Sequence, residues 1–194
     1  MVFIKLQAAN SIDCWVIENT FKFISEHSKS LSQVVFSINI SGRSLGDIEF
    51  KTIIHSLFRK YKITAGNICF EITETAAIAS FDNAIHFIQE LKKEGCSFAL
   101  DDFGSGLSFF AYLKQFPVST LKIDGIFVRN IDADPIDYAM VKSINEIAHL
   151  YNKKTVAEFV ETDAVFDKLL ELGVDYDQGY GISRPISLSA IPQV

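Results

Sequence analysis

Two aspartates, Asp101 and Asp102, close the apolar run SFALDD and lead directly into Gly104-Ser105-Gly106. The next apolar run, STLKIDG, ends with Lys122 and Asp124. The pattern recurs along the chain: Asn39, Glu71 with Glu74, Glu158 with Glu161, and Gln178 each sit where an apolar run turns polar. Carboxylates repel when crowded, and burying them unpaired is costly. A ring of Glu71, Asp101, Asp102 and Glu158 therefore needs compensating cations. Oxygen donors with one amide, Asn39, suit Mg²⁺ or Mn²⁺ rather than zinc or copper. Adjacent Asp101 and Asp102 suit a pair of ions with one carboxylate bridging. Two metals about 3.5–4 Å apart can clamp a phosphodiester, activate a water and stabilise the leaving oxygen. Lys122 could hold the phosphate or that water, and the glycine loop could order itself around a ligand.

Duller roles compete at several positions. Glu74 and Glu161 could hold loops by accepting backbone N–H bonds, and Asp124 could cap a helix. Asp102 is too early to cap a helix beginning at Ser108. His27, His55, His86 and His149 fall on helical stretches at polar or mixed positions and are read as surface residues without a catalytic role. Cys14, Cys69 and Cys96 lack zinc-type spacing and are read as buried, reduced and small.

The elements that must position these residues alternate regularly. Helical spacing covers 14–27, 45–61, 81–95, 108–116, 135–152 and 163–173. Strand-like runs cover 34–41, 67–75, 97–102, 119–125, 154–161 and 174–183. Asp47 and Asp134 are placed to cap helices, Pro135 suits a first helical turn, and Gly95 a helix end. Strand–helix alternation means an α/β fold with parallel pairing and right-handed crossovers. Polar ends on six successive strands favour a TIM-type (β/α) barrel over an open sheet, because barrel strand ends converge on one mouth.

Bulk properties narrow the function. The 194 residues, 22% charged, suit a single domain over 1–194. The net charge of −6 and the lack of a basic patch argue against binding long nucleic acid. No apolar stretch approaches about 18 residues, so no membrane span is expected. The first residues do not make a secretion signal, and cytoplasmic residence is expected.

The segments FEITET, ALDDFGSG, LKIDGIFV, VAEFVET and DQGYGISRPIS, in this order, resemble the EAL-domain phosphodiesterases that hydrolyse cyclic di-GMP. SINIS is similar to that family's Asn-x-Ser strand. The resemblance runs from about residue 12 to residue 187. It implies a modified (β/α)₈ barrel, of which about six strands are legible here, so the barrel is expected to be incomplete at its N-terminus. It implies that Asn39, Glu71 and Asp101 ligate a first metal, and that Asp101 bridges to a second held by Asp102 and Glu158. Lys122 would contact the attacking water or the phosphate, making Lys122, Glu158 and Asp102 the catalytic set. Gln178 and Glu161 would lie against substrate, and Glu74 would anchor the loop 102–108, which in the family couples metal binding to dimerisation. The product would be the linear dinucleotide pGpG.

The departures are specific. No Glu-Ala-Leu tripeptide occurs in this chain, although in the family its Glu ligates the first metal. Phe159 stands where the family more often has glycine, and Leu107 and Phe109 replace the loop's usual Tyr and Ser. The chain is thus expected to belong to a longer enzyme with an upstream sensor or GGDEF domain, or to have its gap closed by a neighbour, or to be a degenerate relative, a catalytically impaired receptor for cyclic di-GMP or an interaction module; a homodimer is expected.

Overall fold

A computed structural model describes residues 3–106 and 110–191. The chain divides into two compact units, Met1–Phe98 with Ile186–Val194, and Ala99–Pro185. The six strands form one sheet in chain order, each defined below, and every recorded pairing is parallel.

In the first unit, α1 (Phe3–Glu26) precedes β1 (Phe36–Asn39), α2 (Ile48–Tyr61), β2 (Ile68–Thr73), α3 (Glu74–Ala79) and α4 (Phe81–Glu94). α1 begins well before the expected 14, since no Gly or Pro interrupts it from Phe3 onward. Asp47 caps α2, its Oδ1 accepting from Glu49 N at 2.8 Å and Phe50 N at 3.2 Å. Gly95 ends α4 at φ 109°, in the left-handed region. α3 was not anticipated. Its six residues are too few for a periodic signal, and it rests on Thr73, whose Oγ1 accepts from Ala76 N at 3.3 Å.

Phe50, Phe70, Phe87 and Phe98 form the core here, with ring centroids 5.6–6.4 Å apart. Edge-to-face and offset contacts of this kind add about 0.5–1.5 kcal/mol per pair beyond burial. Buried Asp13 fixes the chain after β1: its Oδ2 accepts from Ser41 N at 3.0 Å, Ser41 Oγ at 2.7 Å and Ser44 Oγ at 2.6 Å.

The second unit takes up most of β3 (Ser97–Phe103), then α5 (Phe110–Leu113), β4 (Thr120–Ile123), α6 (Gly125–Val128), α7 (Pro135–Leu150), β5 (Lys154–Ala157), α8 (Asp163–Leu172) and β6 (Tyr176–Asp177). Asp134 caps α7 by accepting from Ile136 N at 2.7 Å, with Pro135 in its first turn. At the N-terminal ends of β5 and β6, Asp175 accepts from Lys154 Nζ at 2.6 Å and Thr155 N at 2.9 Å, and lies 2.8 Å from His149 Nε2. Burial opposes its ionisation, but these partners outweigh it and hold the carboxyl below its ordinary range.

The last strand is far shorter than the expected 174–183. After Asp177 the backbone leaves the sheet and lies on the loop following β5. A Cβ on Gly179 would collide with the backbone of Val160, so only glycine permits this approach.

Candidate functional site

The twin aspartates share a site because β3 is irregular where they stand. β3 pairs with β4 through Ala99–Thr120 and Leu100–Leu121, then resumes at Phe103–Ile123. Three steps on one strand answer two on the other, so a bulge falls at Asp101 and Asp102. Adjacent side chains in a regular strand face opposite ways. The extra residue, with Asp102 in the left-handed region at φ 54°, breaks that alternation. Aspartate tolerates this conformation better than most residues.

β4 supplies Lys122, and the chain just past β5 supplies Glu158, whose N–H donates to Ile123 O at 3.3 Å. One oxygen from each of Asp101, Asp102 and Glu158 lies within 4.8 Å of the others. Lys122 is 5% exposed, and its Nζ stands 2.8 Å from both Asp101 Oδ1 and Glu158 Oε1. The contact with Asp101 is Coulombic: no donor is aligned on that buried Oδ1 for a hydrogen bond.

Negative charge is in excess. Burial raises the Glu158 pKa, with Lys122 opposing and Asp101 and Asp102 reinforcing. Burial also raises that of Asp102, followed by repulsion from Asp101 and Asp124. Such a cluster is relieved by a proton or a cation. Its carboxylate oxygens, one lacking an aligned donor, fit a hard divalent ion such as Mg²⁺ or Mn²⁺.

Beside it lies a cavity of about 270 Å³ lined by Glu158, Phe159, Glu161, Gln178, Gly179 and Tyr180. Three backbone bonds build it: Gln178 N to Ala157 O at 2.8 Å, Val160 N to Gln178 O at 3.1 Å, and Gly181 N to Val160 O at 2.9 Å. Glu161 and Gln178, both exposed, thus flank Glu158.

Asn39 and Glu71 lie in the first unit, facing each other in register, Asn39 as the last residue of β1 and Glu71 inside β2 two residues before its end. Glu71 is buried, and so is Glu74, the first residue of α3. Asp124 takes the capping role, accepting from Ile126 N at 2.9 Å. Leu107 and Phe109, and with them part of the loop 102–108, lie outside the described residues.

Asp177 was not singled out from the sequence. Its Oδ1 is buried without a hydrogen-bond partner, and burial raises its pKa. Its only signal was a carboxylate inside the last strand. Cys69 and Cys96 are buried as expected, and burial pushes the Cys96 thiol up to about 12, whereas Cys14 is only half-buried. Among the described residues no helix is long and apolar enough to cross a membrane.

A family model described as the EAL domain matches residues 1–185. The cyclic di-GMP phosphodiesterase PdeB of Shewanella oneidensis is 42% identical over 179 residues, covering 92% of this chain and 21% of its own length. The cyclic di-GMP phosphodiesterase PdeF of Escherichia coli is 40% identical over 177 residues, covering 91% and 24%. The chain therefore spans roughly a fifth to a quarter of these relatives. Among solved structures, the EAL enzyme Bd1971 bound to cAMP and cyclic di-GMP is 32% identical, with a TM-score of 0.88 over 94% of this chain and 51% of that one. The PaMucR phosphodiesterase in complex with c-di-GMP is 26% identical, with a TM-score of 0.91 over 98% of this chain and 78% of that one. The fold class is accordingly that of EAL domains, an α/β barrel type.

Proposed function

Because the chain belongs to the EAL-domain family, we propose that it hydrolyses one phosphodiester bond of cyclic di-GMP to give pGpG, with two divalent ions, Mg²⁺ or Mn²⁺. The observation that carries this reading is the gathering of Asp101, Asp102 and Glu158 around buried Lys122. These three carboxylates would hold the ions, and the family resemblance adds Asn39 and Glu71 to the set. When bound, the ions would polarise the phosphodiester and lower the pKa of a water.

The remaining work falls to the chain's own residues. Lys122, held between Asp101 and Glu158, is fixed to donate to a phosphate oxygen or to orient the attacking water. Glu158 reaches both the lysine and the cavity, so it couples charge at the cluster to the bound substrate. Gln178 and Glu161 offer an amide and a carboxylate to a ligand in the cavity. Glu74 is proposed to anchor the loop 102–108. The working state is proposed to be a cytoplasmic homodimer within a longer signalling protein that carries a further sensor or GGDEF domain, in keeping with the small share of the relatives that this chain spans.

Incubation of the purified chain, and of any longer polypeptide containing it, with Mn²⁺ and cyclic di-GMP should yield pGpG on chromatography. Binding without turnover in both would select the receptor reading, motivated by the missing Glu-Ala-Leu tripeptide. Neither binding nor turnover in both would overturn the assignment.

A further inference from the structure

Phe159 is the least expected residue of the cavity. It adopts φ 58°, a conformation that an aromatic side chain rarely takes and that glycine takes freely. Strain of this sort persists where the surroundings enforce it, and it gathers at ligand sites. The surroundings here are built to receive the ring. Gly125 lies against it, and any Cβ there would collide with it. The Arg129 guanidinium lies over the ring, 4.1 Å from its centroid. The residue nevertheless stays 44% exposed at the cavity wall. On the same cavity Tyr180, 59% exposed, carries Arg184 at 5.3 Å from its ring centroid. One cavity thus presents two open aromatic rings, each backed by an arginine, in a chain whose net charge is −6.

Flat rings with cations beside them, next to a carboxylate cluster suited to metal, match a planar base attached to a phosphate. We propose that Phe159, steadied by Arg129, is a specificity-determining residue that stacks on a purine base of the nucleotide ligand, with Tyr180 as the second ring of the clamp. This rests on the cyclic-dinucleotide reading above and adds to it a contact that the glycine commoner at this position cannot make. The unfavourable backbone at Phe159 is then retained because the ring contributes to ligand binding.

Calorimetric titration with cyclic di-GMP, using Ca²⁺ in place of Mn²⁺ to slow turnover, tests the clamp. Phe159→Gly should weaken binding about ten-fold or more, as loss of a base–aromatic stack does. Its melting temperature should stay close to that of the wild type, because glycine suits this backbone. Phe159→Leu, which keeps apolar bulk without a planar ring, should also weaken binding, Phe159→Tyr should restore it, and exposed Arg129→Ala should weaken it by a smaller factor. Wild-type affinity in Phe159→Gly and Phe159→Leu would overturn the clamp and leave the functional reading standing. So would a lowered melting temperature with unchanged affinity, the mark of a purely packing role. If the wild type itself fails to bind cyclic di-GMP, the functional reading falls and takes the clamp with it.

Discussion

Lys122 carries the charge balance of the site. It is the ammonium within 2.8 Å of two buried carboxylates, and its removal would leave Asp101 and Glu158 without that countercharge. Breaking one side of a buried ion pair typically costs about 3–5 kcal/mol. Lys122→Met should lower the metal-free stability by about that amount near neutral pH, read from urea denaturation, and should abolish turnover. A shift under about 1 kcal/mol would mean that the carboxylates are already neutral and that the ion pair is not the organising contact.

Asp175, far from that cluster in role, makes an independent test of sign. Its folded pKa lies below the ordinary carboxylate value, so its stabilisation is fully present above that ordinary value and is lost progressively as pH falls from there through the lowered folded pKa. Denaturation midpoints followed between about pH 5 and 2 should fall steeply in the wild type, and less steeply in Asp175→Asn, which starts less stable at neutral pH. Parallel slopes would show that the His149, Lys154 and Thr155 contacts do not depend on its charge.

At the scale of elements, the site depends on two irregularities. One is the bulge in β3, which lets adjacent aspartates serve a single cluster. The other is the departure of the chain from the sheet after β6, which brings Gln178 and Tyr180 beside Glu158. The second requires Gly179, where a side chain would strike the backbone of Val160. Gly179→Ala should cost about 1–3 kcal/mol, as overpacking does. It should also impair cyclic di-GMP binding more than Mn²⁺ binding, because the cavity is disturbed and the carboxylate cluster is not. Unchanged thermal stability and ligand affinity would show that the loop 178–181 relaxes freely. Neither irregularity has a periodic signature, so the sequence suggested a straight ten-residue strand at 174–183 where only Tyr176–Asp177 pair. The caps fared otherwise: Asp47, Asp134 and Gly95 act through bonds to residues within a turn or two, and a local pattern is enough to reveal them.

At the scale of the molecule, the excess negative charge around Lys122 means that a divalent ion, if it binds there as proposed, would act as a folding ligand as well. An ion that binds only the native state stabilises it by about 2.7 kcal/mol at one hundred times its dissociation constant. Mn²⁺ should therefore raise the melting temperature of the wild type, and the rise should vanish in Asp101→Asn and shrink in Asp102→Asn. An equal rise in all three would place the bound ion elsewhere.

The alternation of apolar runs with helical spacing, the acids at the run ends and the EAL-type segments were all present in the sequence, because strand burial and local motifs leave their mark residue by residue. The short helix at Glu74–Ala79, the unpartnered carboxylate oxygen of Asp177 and the seat of Phe159 between Gly125 and Arg129 were not. The helix rests on a local cap at Thr73 and is simply too short to show a period; the other two depend on contacts between segments distant along the chain and on backbone angles that no local pattern records, so folding alone brought them into being.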